Sequence, residues 1–271
     1  MRDNVIRRNS LTHGRRAIAL LDEFHISDPT TIDLEDLIAA KNGFVQYKPM
    51  QGAQGRILLD GKRAIITVDS NIRDPRRRRF VLAHEFGHLM LHVNAQQQLF
   101  NCDVDAFLDW QGRRPEEGQA NIFAANLLMP PALFGAYFTK KKFSVSNLKD
   151  ASDKFMTSLM STSIQFTQHG NYPIAVVFSI NGMVKWAAMS HDFPNSDRPL
   201  HWIPYMTPVP PGSVAHDVFA SGLAPKEASF VDPAEWFAED YNLRFHEDLE
   251  LFEVCHYYST FNGVLSYIYC K

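Results

Sequence analysis

Apolar residues recur at helical spacing over residues 10–25, where Ile18, Leu21 and Phe24 share one face, and this pattern predicts a first helix. A second, shorter helix is predicted from a cap at Asp33 to Gly43. The period then changes. Residues 44–47, 56–59 and 64–68 are rich in strand formers, and Asp60-Gly61 is a tight-turn signal between the last two, so a small antiparallel sheet is expected.

Asp74-Pro75 reads as an N-cap followed by proline at the first helical position, which opens a helix expected to run through His92. Another helix start is read at Pro115. Ala120, Phe123, Ala124, Leu127 and Leu128 keep a helical period over residues 116–129, and Pro130-Pro131 ends it. Residues 146–155 and 157–169 suggest two short helices in a helix-turn-helix-like arrangement. Beyond Tyr172 the pattern is mixed: a hairpin turning at Asn181-Gly182, a capped helix at Asp232-Pro233 and a closing hairpin at Asn262-Gly263.

With 271 residues, 45% of them hydrophobic, the chain has enough apolar surface for a large core or two modest domains. A net charge of -3 provides no general field for holding a polyanion. Cys102, Cys255 and Cys270 are an odd, scattered set with no ligand spacing, which argues against a disulfide framework and suggests buried or incidental thiols. The polar N-terminus and the lack of a long apolar run add to the expectation of a soluble, cytoplasmic protein.

The chemistry concentrates in His84-Glu85-Phe86-Gly87-His88. Residues four apart stack on one helical face, so His84 and His88 can offer imidazole nitrogens to one ion while Glu85 projects beside them as a candidate catalytic base. A catalytic zinc site needs a third protein ligand and keeps one position for water. Glu117, in the first turn of the next helix, is the candidate ligand. Glu116 competes for the role, but only Glu117 shares a face with Asn121, which in turn is a candidate to orient a ligating histidine. Zn2+ is the expected metal, although His and carboxylate ligands also accept Mn2+ or Fe2+.

Other features read more plainly. His92 lies on the same helix one turn beyond His88 and lacks the glycine-turned spacing of a third histidine ligand, so a structural role is expected. Arginines 76–79 read as solvent-facing or paired rather than as a nucleic-acid patch. The second helix of the helix-turn-helix-like pair, residues 157–169, carries no Lys or Arg, which argues against direct DNA binding. An extended substrate is expected to add as a strand beside residues 56–59.

Residues 79–92 and 117–130 together resemble the ImmA/IrrE family of zinc metallopeptidases, and the likeness extends over roughly residues 10–170. The resemblance implies a zincin-like domain in which His84, His88 and Glu117 hold zinc and Glu85 is catalytic. It also implies cleavage of a helix-turn-helix repressor, relieving transcriptional repression in a stress or mobile-element response. The longer radiation-response members carry a GAF-like C-terminal domain, and the closing hairpins are compatible with one. Gly118-Gln119 departs from the charged or longer residues that relatives often have there.

The expected architecture is α+β: a zinc metallopeptidase domain over residues 1–135, a helix-turn-helix-like segment over 136–170 and a mixed, GAF-like domain over 171–271. The expected function is that of a zinc metalloendopeptidase. The alternative is a non-catalytic, metal-stabilised regulator that binds a repressor or DNA.

Overall fold

The computed structural model describes residues 2–60, 63–92, 98–103 and 114–270, with side chains from Thr12 onward apart from Gln98. The fold is α+β. The chain divides into two compact units, Met1–Ala136 with Lys149–Thr162, and Tyr137–Leu148 with Ser163–Lys271. Among the described residues, no helix is long and apolar enough to cross a membrane.

The first unit opens with helix α1 (Arg2–Glu23), a 3-10 turn at Pro29–Thr31 and helix α2 (Leu34–Ala39). Asp33 caps α2 by accepting a 2.8 Å hydrogen bond from the Glu35 N–H. Strands β1 (Gly43–Lys48), β2 (Gly55–Asp60) and β3 (Arg63–Asp69) follow. Then come helix α3 (Pro75–His92), strand β4 (Gln98–Cys102) and helix α4 (Pro115–Leu128). Helices α5 (Pro131–Phe138), α6 (Val145–Phe155) and α7 (Leu159–His169) each contain residues of both units. Pro131, expected only to end a helix, opens α5, because proline lacks the N–H that a first helical position leaves unpaired anyway.

The sheet order is β1-β3-β2-β4. β2 and β3 are antiparallel, but β3 runs parallel to β1 from Gly43↔Ala64 to Lys48↔Asp69, so the sheet is mixed and not the antiparallel one expected. β3 returns from β2 and inserts beside β1, a placement that alternation along each strand does not encode. Gly61 of the expected turn lies outside the described residues. β4 pairs antiparallel with β2, placing β2 in the interior of the sheet. The edge expected at residues 56–59 is therefore covered, and β4 forms the border on that side. Ile57, Leu59, Ala64, Ile66 and Val68 point into the core that also contains Val81, Phe86 and Leu89 of α3.

The second unit is built on an antiparallel five-stranded sheet of order β6-β5-β9-β8-β7. Its strands are β5 (Ala175–Ile180), β6 (Met183–Met189), β7 (Ser229–Val231), β8 (Leu251–Tyr258) and β9 (Gly263–Tyr269). Asn181 and Gly182 join β5 to β6 with φ of 51° and 74°, the left-handed pair that a type I′ turn demands. Helices α8 (Val214–Ser221) and α9 (Pro233–Phe237) add to its core. The buried Glu253 carboxylate accepts the Val214 and Ala215 N–H groups at 2.9 and 3.2 Å, where a negative charge suits the helix N-terminus.

Candidate metal centre

Helix α3 begins as its sequence demands, with Asp74 Oδ1 accepting the Arg76 N–H at 2.9 Å and Pro75 at the first position. The adjoining arginines are tied down within the unit. Arg76 pairs with Asp153 at 2.6 Å, Arg77 donates to Gln54 at 2.8 Å and Arg78 to the Ile72 carbonyl at 2.6 Å. Residues 80–89 of α3 are all buried, so His84, Glu85 and His88 are removed from solvent.

Helix α4 lies against α3 nearly backbone to backbone: a Cβ on Gly87 would stand 3.0 Å from the Ala120 Cα. That closeness brings the first turn of α4 to the histidines. Glu117 Oε2 is 2.9 Å from His84 Nε2 and 3.5 Å from His88 Nε2, and the two Nε2 atoms are 3.2 Å apart. One turn along α4, Asn121 Oδ1 lies 2.9 Å from His84 Nδ1. All four residues named from their spacing, His84, His88, Glu117 and Asn121, therefore meet.

His92 is not in the donor cluster. Its Nδ1 stands 3.1 Å from His88 Nδ1 and its Nε2 3.0 Å from Gln119 Oε1. The chain is chemically consistent in one sense: His92 Nε2–H donates to Gln119, and His88 Nδ1–H donates to His92 Nδ1. That leaves the His88 Nε2 lone pair facing the cluster. Phe100 stacks on the His88 ring at 4.3 Å.

Sequence spacing missed Cys102. At the end of β4 its sulfur lies 3.6 Å from His88 Nε2 and 3.9 Å from Glu117 Oε1, and it is fully buried. The cysteines were expected to be buried or incidental; Cys102 is buried, and its place among the donor atoms is what their lack of ligand spacing did not suggest. No local spacing could reveal it, since the antiparallel register Gly55↔Cys102 is what delivers the thiol. Alternation on β4, with Phe100 and Cys102 facing inward against an exposed Leu99, was the available signal.

Gly55 on β2 was also missed. A Cβ there would fall 2.2 Å from Glu85 Oε1, so only glycine leaves room for the carboxylate. Glu85 is fully buried, and neither of its oxygens has a hydrogen-bond partner of good geometry. Burial pushes its carboxyl well above the usual range; the nearby Cys102 thiol offsets this in part, and Glu117 adds to it. Burial pulls His88 down to about 4, against the opposing pull of Glu117. Glu117 itself is raised by burial but lowered more by its hydrogen bonds with His84 and His88, and the net result is an ionised carboxylate.

His84, His88, Cys102 and Glu117 present ligand atoms that all lie within 4.8 Å of one another. Two imidazoles, a carboxylate and a thiol are the donor types zinc takes, and the cluster is fitted to hold a divalent metal ion. The buried, unpartnered carboxylate of Glu85 fits the same conclusion, because an acceptor buried without a donor is costly unless a ligand or its water completes it.

Comparison with known proteins agrees with this geometry. Residues 41–153 match the Peptidase_M78 family model, described as an IrrE N-terminal-like domain, and form a peptidase domain of that kind. No curated protein matches the chain. A solved structure described as a Mycobacterium tuberculosis transcriptional regulator is similar in fold, with a TM-score of 0.64 at 15% identity, covering 100% of this chain and 79% of that one.

Proposed function

We propose that this chain is a zinc endopeptidase that cuts a helix-turn-helix transcriptional repressor and thereby relieves repression in a stress or mobile-element response. The carrying observation is the meeting of His84, His88 and Glu117 around one point with the unpartnered Glu85 carboxylate buried in the same core, inside a peptidase-type domain. His84 and His88 would hold the metal through Nε2, and Glu117 through its carboxylate. Asn121 and His92 fix the two imidazoles by accepting their Nδ1 protons. When bound, zinc acidifies a water molecule and polarises the scissile carbonyl. Glu85 is the residue that would accept a proton at its carboxylate and return it to the leaving amine. Its raised proton affinity suits this shuttle, because a base that is too weak would not hold the proton between the two transfers.

The division into a peptidase domain at 1–135, a helical segment at 136–170 and a GAF-like domain at 171–271 belongs to the same proposal. The antiparallel five-stranded sheet of the second unit supports a sensing module of GAF type, and the similarity to a transcriptional regulator supports a regulatory setting. Helix α7, without Lys or Arg, supports a protein partner rather than DNA.

One observation favours a second reading, a metal-stabilised regulator without catalysis: Cys102 supplies a fourth protein donor, as closed structural sites do. Glu85→Gln separates the two. The peptidase reading expects the variant to keep its metal and lose cleavage of the co-expressed repressor by about 10²–10⁴-fold. Repressor released from DNA at full length by the wild-type protein would instead establish the regulator.

A further inference from the structure

Tetrahedral zinc with Zn–N and Zn–O near 2.0–2.1 Å and Zn–S near 2.3 Å sets ligand atoms about 3.3 Å apart for N and O pairs, and about 3.6 Å apart for a sulfur and a nitrogen. Three of the separations lie near these edges, while His84 Nε2 to Glu117 Oε2 is shorter at 2.9 Å and Cys102 Sγ to Glu117 Oε1 is longer at 3.9 Å. His84 Nε2 to His88 Nε2 is 3.2 Å, His88 Nε2 to Glu117 Oε2 is 3.5 Å, and Cys102 Sγ to His88 Nε2 is 3.6 Å. Cys102 thus stands at the fourth corner, where a catalytic site would keep water.

Resting on the zinc-peptidase reading, we infer that Cys102 is the fourth metal ligand of a closed resting site, and that this site opens only when the sulfur withdraws. Three further observations support the inference. The thiol is fully buried, and its sulfur lies within 4.8 Å of the other three donor atoms. Cys102 ends β4, the border strand of the sheet, and its backbone is held by the Gly55↔Cys102 register and by the Gln54 N–H donating to its carbonyl at 2.9 Å. Finally, the Glu85 carboxylate is fully buried close to Cys102, and neither of its oxygens has a hydrogen-bond partner of good geometry.

On ligation the Cys102 S–H bond breaks, the sulfur keeps the electron pair and donates it to the metal, and the proton passes to solvent. On opening, the sulfur takes a proton back and the vacated position becomes free for water. No oxidant or reductant is involved.

The test is spectroscopy on the full chain loaded with one equivalent of zinc or cobalt(II). We expect zinc X-ray absorption to show one sulfur at about 2.3 Å alongside nitrogen and oxygen. We expect a near-ultraviolet sulfur-to-cobalt charge-transfer band, and its loss in Cys102→Ser at unchanged metal stoichiometry. A metal held only by nitrogen and oxygen in the wild type would overturn the ligation of Cys102 while leaving the peptidase reading intact. A sulfur signal that persists in Cys102→Ser would also overturn it. No metal binding at all would overturn both.

Discussion

Asn121 Oδ1 lies 2.9 Å from His84 Nδ1, on the side of the ring opposite the 2.9 Å contact between His84 Nε2 and Glu117. The amide oxygen can only accept, so it holds the proton on Nδ1 and leaves the Nε2 lone pair for the metal. Asn121→Leu keeps the volume and removes the acceptor. Zinc affinity should fall by about 10–100-fold, as read by competition with a chromophoric chelator. Unchanged affinity would mean that His84 is oriented by its packing alone.

Gly55 tests the fit of Glu85. In Gly55→Ala the new methyl group meets Glu85 Oε1 at 2.2 Å and Val81 Cγ1 at 2.9 Å, so the carboxylate must move. Peptide hydrolysis should drop by about 10²-fold from that displacement, with zinc stoichiometry unchanged. Melting should also reveal an overpacking cost of about 1–3 kcal/mol. A variant that cleaves like wild type would show that Glu85 acts from some other position.

His92 invites a substitution that separates packing from hydrogen bonding. His92→Phe preserves a ring beside Phe100, whose centroid is 5.4 Å away, but offers no acceptor to His88 Nδ1–H. We expect about tenfold weaker zinc binding with a nearly unchanged melting temperature. Equal affinity would reduce His92 to a packing residue.

Metal-stripped protein should lose stability on acidification, and His88 should account for part of the loss. Its imidazole binds a proton near 6.5 when unfolded and near 4 when folded, so between those values the unfolded chain holds the extra proton. The stability it contributes is fully present above about 6.5 and is lost as the pH falls toward 4, with a slope of up to about 1.4 kcal/mol per pH unit. Glu85 works in the opposite direction, since its raised affinity gives the folded state the proton. The informative comparison is therefore between wild type and His88→Gln: urea midpoints from pH 7 to 5 should fall more steeply in the wild type. Parallel slopes would contradict a buried, neutral His88.

Much of the centre was legible in the chain because it obeys helical spacing. His84 and His88, and again Glu117 and Asn121, are each four apart, and the proline and acidic signals at Asp74-Pro75 and Pro115 placed both pairs on helices. Cys102 and Gly55 were not legible from residue spacing, because Cys102 depends on β4 pairing with β2 and Gly55 on β2 packing against Glu85 and Val81 of α3, and both are settled by assembly of the sheet. The parallel placement of β3 beside β1 escaped for the same reason. The arginine run of α3 was expected to be solvent-facing or paired, but its partners include Asp153, Gln54 and the Ile72 carbonyl, which no local charge pattern identifies.

The contact between Gly87 and Ala120 has a consequence for how the protein matures. Two imidazoles on α3 are a weak chelate by themselves, and the carboxylate that completes them arrives only when α4 docks against the bare face of Gly87. A nascent or partly unfolded chain therefore has little hold on the ion, and loading follows docking of the helix pair. Possession of the metal then certifies that the helix pair has been correctly assembled, and an unfinished chain carries no protease activity to turn upon its surroundings.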